Sequence, residues 1–264
     1  MKPFSEQNPS ESLIPNAEQL TGFLNHGLMP FVGREKEFQQ LIEFWRGTPE
    51  SHGVRAALLV GEAGIGKSRL MEELMPQIMR EGGAVVHIRF YPESAIHPGH
   101  LLADALLGSA GAREVLRDHS PQDLPSGIAA LRRVVRLRPT VLVVEDLHLL
   151  AGDAVRDFAA ILAALSDEPL SVVGTTRPTP IPAAGILAPY LVEELELHGI
   201  GQEGIKGLWR ALFNALPLPH VVDLLQEGTR GNALAVRSAL RRALSTGAVE
   251  RGSGQWKVFA PAFA

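Results

Sequence analysis

The sequence predicts an α/β fold in which a parallel sheet is flanked by helices and followed by a smaller, mostly helical domain. Short apolar runs alternate with amphipathic stretches up to Leu197, a pattern typical of parallel strands joined by helical crossovers. After Leu197 no convincing strand follows for about fifty residues, and apolar positions recur at helical spacing. With 264 residues and 45% hydrophobic content, the chain can bury a substantial core.

Three consecutive regions are expected along the chain. Residues 1–30 carry scattered Pro, Asn, Ser and Glu with weak periodicity, which predicts a loosely ordered leader. The α/β core is expected over residues 31–198. The helical domain is expected over residues 199–264, and Trp256 and its neighbours could add a short terminal strand.

The individual elements follow from the spacing of the apolar residues. That spacing predicts a first helix over Glu35–Arg46. Strands are predicted at Ala56–Val60, Ala84–Ile88, Val141–Val144, Ser171–Gly174 and Leu191–Leu197. Helices between these strands are predicted near Ser68–Arg80, His100–Leu107, Ser126–Leu137 and Asp153–Leu165. Helices of the second domain are predicted near Glu203–Leu216, Val221–Gln226 and Ala233–Ser245.

A glycine-rich segment directly follows the first predicted strand. Its residues are Gly61, Glu62, Ala63, Gly64, Ile65, Gly66, Lys67 and Ser68, with Arg69 next in the following helix. This spacing lets backbone N–H groups and a helix N-terminus surround a polyphosphate. Lys67 is expected to reach the β and γ phosphates, and Ser68 to offer a hydroxyl to Mg²⁺. The segment therefore predicts a nucleoside triphosphate site and a P-loop NTPase sheet.

Two acidic residues, Glu145 and Asp146, end the apolar strand Val141–Val144. Open α/β sheets bind ligands at the carboxyl ends of their strands. We assign Glu145 to Mg²⁺, and Asp146 to the polarisation of the water that attacks the γ-phosphate. The alternative is an acidic turn that only caps the structure that follows.

A lone arginine, Arg177, follows the strand Ser171–Gly174 and two threonines. A guanidinium at a strand end can sense or stabilise the γ-phosphate, because negative charge builds on that group during transfer. The alternative is an ordinary surface arginine. The order of the motifs along the chain favours the sensor role.

These motifs resemble those of the signal-transduction (STAND-type) ATPases related to AAA+ proteins, which begin LuxR-type and cyclase- or kinase-linked regulators. The resemblance extends from Phe31 to about Trp256. Phe31-Val32-Gly33-Arg34-Glu35 looks like the family's opening motif, which implies that Val32, Gly33 and Arg34 lie by the adenine. Glu145-Asp146-Leu147-His148 and Gly174-Thr175-Thr176-Arg177-Pro178 are similar to its acidic and sensor motifs.

The family's lid domain carries a Gly-x-Pro motif that closes on the nucleotide base. Gly231-Asn232-Ala233 stands at the corresponding place, so the resemblance implies a nucleotide contact at Gly231. The absent proline puts tight lid closure and ADP retention in question. The ligands implied by the resemblance are ATP or ADP with Mg²⁺.

Three functions are compatible with these motifs. The first is a regulatory ATPase in which slow hydrolysis resets a nucleotide-dependent signalling switch. The second, suggested by Ala233, is a nucleotide-binding interaction module with little or no hydrolysis. The third is a DNA-linked AAA+ ATPase, which we place last, because a net charge of -4 gives no overall basic surface.

The expected partners and location follow from the same features. Besides ATP, we expect a protein effector or output domain, in cis within a longer parent protein or in trans, and the resemblance permits a homo-oligomer. DNA binding is not expected for this chain alone. No apolar run reaches membrane-spanning length, and the chain has no cysteine. These features favour a cytoplasmic location.

Overall fold

The structure is a computed structural model that describes residues 17–91, 98–117, 120–179, 182–252 and 255–259. Its strands are β1 Arg55–Gly61, β2 Ala84–Arg89, β3 Thr140–Glu145, β4 Leu170–Thr176, β5 Leu191–Leu197, β6 Val249–Gly252 and β7 Gln255–Val258. Its α-helices are α1 Ala17–His26, α2 Glu35–Arg46, α3 Lys67–Arg80, α4 Pro98–Gly108, α5 Ala110–Leu116, α6 Leu124–Leu137, α7 Asp153–Ala164, α8 Pro182–Leu187, α9 Gln202–Phe213, α10 Pro219–Thr229 and α11 Ala233–Ser245.

The chain divides into two compact units. The core unit is Arg34–His198, and the second unit joins Gly199–Ala264 to the segment that ends at Gly33. The predicted division into residues 1–30, 31–198 and 199–264 stays a proposal. None of the helices within the described ranges is long and apolar enough to cross a membrane.

The described part of the core unit contains a five-stranded sheet in the order β2-β3-β4-β1-β5. All neighbouring strands in it are parallel, so the predicted parallel sheet is confirmed. Strands β3 and β4 are buried along their whole length, as expected for strands covered on both faces. The carboxyl ends of parallel strands share one edge, and this edge collects the residues after β1, β3 and β4.

One large apolar cluster holds the sheet to its helices. Alternate strand residues such as Val86, Leu142 and Val172 pack with Leu131 of α6 and Phe158 of α7. Residues of the opposite parity, including Leu59, Val143 and Val173, are also fully buried. The short helices α5 and α8 were not predicted from the sequence.

The second unit is mostly helical, as predicted. Its apolar core joins α1, α9, α10 and α11, with the hairpin β6–β7 alongside. Within the predicted leader, α1 forms a helix whose Leu20 and Leu24 are buried in this core. This part of the leader therefore differs from the expectation of loose order, because its two leucines lie one helical turn apart and can pack together. Residues 1–16 of the leader lie outside the described residues.

Candidate functional site

The glycine-rich segment joins β1 to α3, as the sequence predicts. Gly64 and Gly66 have φ angles of 75° and 112°, which residues with a side chain rarely adopt. Gly66 is the N-cap of α3, and a Cβ added there would meet no described atom within 4 Å. The first N–H groups of any helix lack partners within the helix. The loop therefore faces open space at a helix end suited to an anion.

Lys67 is the first residue of α3 and is only 8% exposed. Its Nζ donates hydrogen bonds to the carbonyl oxygens of Gly61, at 2.7 Å, and Glu62, at 3.0 Å. Burial lowers the pKa of Lys67, and the carboxylates of Asp146 and Glu145 partly oppose this effect. The Lys67 ammonium thus interacts electrostatically with both predicted acids, Glu145 and Asp146.

Glu145, at the end of β3, is 3% exposed as a whole residue and accepts a hydrogen bond on each carboxylate oxygen. Ser68 Oγ donates to Oε2 at 2.5 Å, and His87 Nε2 lies 2.8 Å from Oε1. Burial raises the pKa of Glu145, but the hydrogen bonds from His87 and Ser68, with the charge of Arg89, outweigh it. The pKa of Glu145 therefore lies below its ordinary value, and the carboxylate is ionised at neutral pH.

Asp146 follows Glu145 in a left-handed conformation, with φ of 60°. Aspartate tolerates this conformation better than most residues do, and such backbone outliers cluster at functional sites. Its N–H donates to Thr175 Oγ1 of β4 at 3.1 Å, and Arg89 Nε donates to its carboxylate at 3.3 Å. Both neighbouring strands therefore help to fix Asp146.

Arg177 and His148 lie at the same edge of the sheet. Arg177 directly follows β4 and is exposed. His148 lies in a 3₁₀ turn after Asp146. Burial and the charge of Arg177 lower the pKa of His148. Within the described residues, both of its ring nitrogens are buried without a hydrogen-bond partner, so a neutral imidazole with unused hydrogen-bonding capacity lies beside the predicted acids.

Arg34 is 7% exposed and binds the backbone of the glycine-rich loop. Its guanidinium donates to the carbonyl oxygens of Ile65, at 3.2 Å, and His198, and it pairs with Glu37 at 2.9 Å. In the second unit, Val32 packs against the apolar core, and Gly33 has a positive φ of 68°. The adenine contacts implied for Val32, Gly33 and Arg34 stay predictions.

Two further predicted binding residues occupy well-defined places. Arg69 pairs along α3 with Glu73 and with Glu72, the latter at 3.8 Å. Gly231 has φ of 70°, and its carbonyl accepts a hydrogen bond from Ile200 N at 2.9 Å. Their roles toward a nucleotide stay predictions.

The residues at the sheet edge fit a magnesium–nucleotide site. A hydroxyl and a carboxylate 2.5 Å apart, Ser68 and Glu145, supply the oxygen ligands that Mg²⁺ prefers. Lys67 lies at the same helix N-terminus, where the loop N–H groups can donate hydrogen bonds to phosphate oxygens. These groups therefore suit the phosphates and the metal of a magnesium–nucleotide complex.

Sequence reasoning assigned no role to His87 and Arg89, which contact the two acids. Both are polar residues near the carboxyl end of β2, among the apolar residues Val86 and Ile88. Polar residues that interrupt an apolar run were the signal in the sequence that could have identified them. That signal can be interpreted only when the strand order is known, because the order places β2 beside β3.

A comparison with protein families matches residues 30–173 to the family described as the AAA ATPase domain. Among curated proteins, the chain is 27% identical over 196 residues to an uncharacterized protein of Rhizobium meliloti (strain 1021). That match covers 57% of this chain and 19% of the Rhizobium protein. The chain thus spans about a fifth of the length of this relative.

Several solved structures share the fold. Drosophila ORC bound to DNA superposes with a TM-score of 0.64 at 15% identity, covering 94% of this chain and 64% of that chain. The Aeropyrum pernix ORC1 protein in complex with DNA superposes with a TM-score of 0.55 at 19% identity, and the match covers 83% of this chain and 61% of that chain. A STAND protein with a tetratricopeptide repeat sensor from Pyrococcus horikoshii superposes with a TM-score of 0.51 at 17% identity, and the match covers 79% of this chain and 30% of that chain. At these identities the likeness concerns the fold alone, and it confirms the predicted P-loop NTPase fold.

Proposed function

The chain belongs to the AAA ATPase domain family, and from this premise we propose that it is a regulatory ATPase. It binds Mg-ATP, hydrolyses it slowly and changes state with its nucleotide. The observation that carries the proposal is the contact of Ser68 with Glu145 at the sheet edge, beside Lys67 and Asp146. Family membership supports nucleotide binding and ATPase activity, and the role as a nucleotide-dependent switch is proposed in addition.

Each residue at the edge has a distinct task in this proposal. Lys67 would exchange its bonds to the loop carbonyls for bonds to the phosphates, and Ser68 and Glu145 would hold the metal. Mg²⁺, when bound, offsets the negative charge that builds on the γ-phosphate. Asp146 orients and polarises the attacking water, and Arg177 binds the γ-phosphate.

Further nucleotide-binding residues are proposed from the family resemblance. These are Val32, Gly33 and Gly231. Arg34 would act from the loop side, since it already binds the Ile65 carbonyl. Adenine is preferred over guanine in this proposal on the strength of the family alone.

The signalling role implies a partner. We propose that an effector or output domain reads the nucleotide state, in cis within a longer protein or in trans, and that the site works in the cytoplasm. The structure from Pyrococcus horikoshii supports this idea, because that protein is described as a signal transduction ATPase with numerous domains and a tetratricopeptide repeat sensor. Assembly of several copies through the ATPase domain is compatible with the family. A nucleotide-binding interaction module with little hydrolysis is the alternative.

A DNA-linked ATPase is a second candidate. Two of the structural relatives, from Drosophila and Aeropyrum pernix, are DNA-bound proteins, so the expectation that this chain does not bind DNA loses support. Binding to duplex DNA with an affinity that falls steeply as salt rises would favour this candidate.

The first experiment is a calorimetric titration of nucleotide-free protein with ATP and Mg²⁺. We expect micromolar or tighter binding that Lys67→Ala weakens by about tenfold to a hundredfold, the range for a lost charged hydrogen bond. Lys36→Ala is the matched control, because Lys36 is exposed on α2. Equal binding by both variants would refute the proposed site, and tight binding without turnover would favour the interaction module.

A further inference from the structure

The Glu145 carboxylate is held from two sides by different elements of the core unit. Ser68 at the start of α3 donates to Oε2, and His87 of β2 contacts Oε1 at 2.8 Å. Strands β2 and β3 pair in parallel register, with His87 opposite Val143 and Arg89 opposite Glu145. The contact between His87 and Glu145 is thus fixed by the pairing of two strands in the sheet.

The chemistry of this contact defines the direction of the hydrogen bond. An ionised carboxylate has no proton to donate, so the proton must lie on His87 Nε2. The His87 side chain is 35% exposed, whereas that of Glu145 is 4% exposed. A buried charge is tolerated only where hydrogen bonds replace the water it has lost. His87 therefore supplies one of the bonds that keep this carboxylate in place.

A glutamate needs such a bond more than an aspartate does. Its side chain has one more rotatable bond, and the terminal torsion of a carboxylate is broad and weakly defined. With Oε1 bound to His87, the carboxylate can turn only by breaking that bond. Oε2 then stays beside the Ser68 hydroxyl. Partners that orient a metal-binding carboxylate commonly change metal affinity by 10–100-fold when they are removed.

We propose that His87 is a positioning residue for the divalent cation: its Nε2–H holds Glu145 so that Oε2 and the Ser68 hydroxyl stay together as oxygen ligands. The inference rests on the proposed function, since it concerns the metal of that site. It does not require His87 to touch the nucleotide or to change its charge.

The test compares ATP binding in Mg²⁺ with ATP binding in EDTA, by calorimetry on the full chain. The wild type is expected to bind ATP more tightly in Mg²⁺. In His87→Ala this advantage should fall by about tenfold or more, while affinity in EDTA changes by less than about twofold. His87→Gln, whose amide can also donate a hydrogen bond, should restore most of the advantage. His52→Ala, at an exposed histidine of the same unit, should match the wild type.

Each contrary result has a distinct meaning. A full Mg²⁺ advantage in His87→Ala would overturn the inference and leave the proposed function intact. Equal losses in Mg²⁺ and EDTA would also overturn it, because they would indicate a general structural role. If His87→Ala does not fold, His87→Gln decides, and a folded Gln variant without the Mg²⁺ advantage would refute the hydrogen bond as the device. A wild type that binds no ATP in either solution would overturn both proposals.

Discussion

The core unit and the second unit hold their predicted site residues by different means. In the core unit, the predicted residue Glu145 has a carboxylate held by hydrogen bonds with Ser68 and His87. In the second unit, the predicted residue Gly231 has a backbone that packs so closely that an added Cβ would lie 2.1 Å from the Ile200 oxygen. Glu145 thus depends on side-chain chemistry, and Gly231 depends on backbone shape.

This difference separates function from stability in the two units. A polar side chain can be replaced by a neutral one of the same size, which removes the chemistry and keeps the packing, at a cost of about 1–3 kcal/mol for a buried partner left without its hydrogen bond. A glycine with positive φ and no room for a Cβ cannot be replaced without moving backbone atoms. Substitutions in the core unit should therefore affect turnover first, and substitutions at Gly231 should affect folding first.

The largest effect is expected for Asp146→Asn. Asparagine keeps the size of the side chain and tolerates the left-handed φ of 60°, but it cannot polarise water as a carboxylate does. Steady-state turnover of ATP should fall by about 10²–10⁴-fold, while ATP affinity changes by less than about threefold. Asp153→Asn, on the exposed first turn of α7, is the control. Unchanged turnover in Asp146→Asn would remove this residue from the chemistry.

Gly231→Ala tests the other side of the comparison. The new Cβ would overlap the backbone of Ile200, and alanine would have to adopt a φ of 70°. We expect a loss of about 2 kcal/mol or more in the free energy of unfolding. Urea unfolding can be followed by the fluorescence of Trp209 and Trp256, which lie in the second unit.

The control for this substitution is Gly207→Ala in α9, where the nearest atom to an added Cβ is 3.6 Å away. It should be neutral or slightly stabilising, because alanine favours helices. Equal losses for the two glycine variants would show that the shape of the Gly231 turn has no special importance.

Glu145→Gln should change how stability depends on pH. The folded pKa of Glu145 lies below its ordinary value of 4.5, so the ionised form stabilises the fold above about pH 4.5. That contribution disappears as the pH falls through the folded pKa. At pH 7 the variant should be less stable by about 1.5 kcal/mol, the size of a charged hydrogen bond.

The difference between wild type and Glu145→Gln should shrink as urea unfolding is repeated at pH 5, 4 and 3.5. Comparison of the two proteins at each pH cancels most effects of the other carboxylates. A difference that grows in acid would contradict a lowered pKa for Glu145.

The local motifs could be predicted from the sequence, and the contacts between strands could not. Lys67 and Ser68 follow from a spacing within one loop and the turn of helix behind it. The bond of Glu145 to His87 depends on β2 being the neighbour of β3, and apolar runs carry no information about strand order. The sequence therefore predicted the acidic residues at the sheet edge but not His87, which holds the Glu145 carboxylate.

Helix α1 shows a second limit of sequence reasoning. It offers few apolar residues for packing, and its Leu20 and Leu24 are buried only because α11 and its neighbours supply the rest of the core. The Leu24 carbonyl also accepts a hydrogen bond from Arg237 of α11 at 2.6 Å. Helices stabilised by tertiary packing in this way have weak local signals.

The smallest effect is expected where this chain departs from the lid motif, at Ala233. Ala233 is the first residue of α11, and Asn232 has φ of -63° and ψ of 118°, the extended conformation required before a proline. The Asn232 side chain accepts hydrogen bonds from the N–H groups of Leu234 and Ala235, so this cap does not use the Ala233 N–H, which a proline would remove. Ala233→Pro should therefore raise the free energy of unfolding by about 0.4–1 kcal/mol.

Ala235→Pro is the matched control for Ala233→Pro, because it deletes the N–H that lies 3.2 Å from the Asn232 oxygen and should destabilise the protein. Urea unfolding of both variants measures the contrast. If Ala233→Pro destabilised the protein as much as Ala235→Pro, α11 would have to begin before Ala233. If only Ala235→Pro is harmful, the backbone at Asn232 and Ala233 already accommodates the proline that the family's lid motif carries at this position.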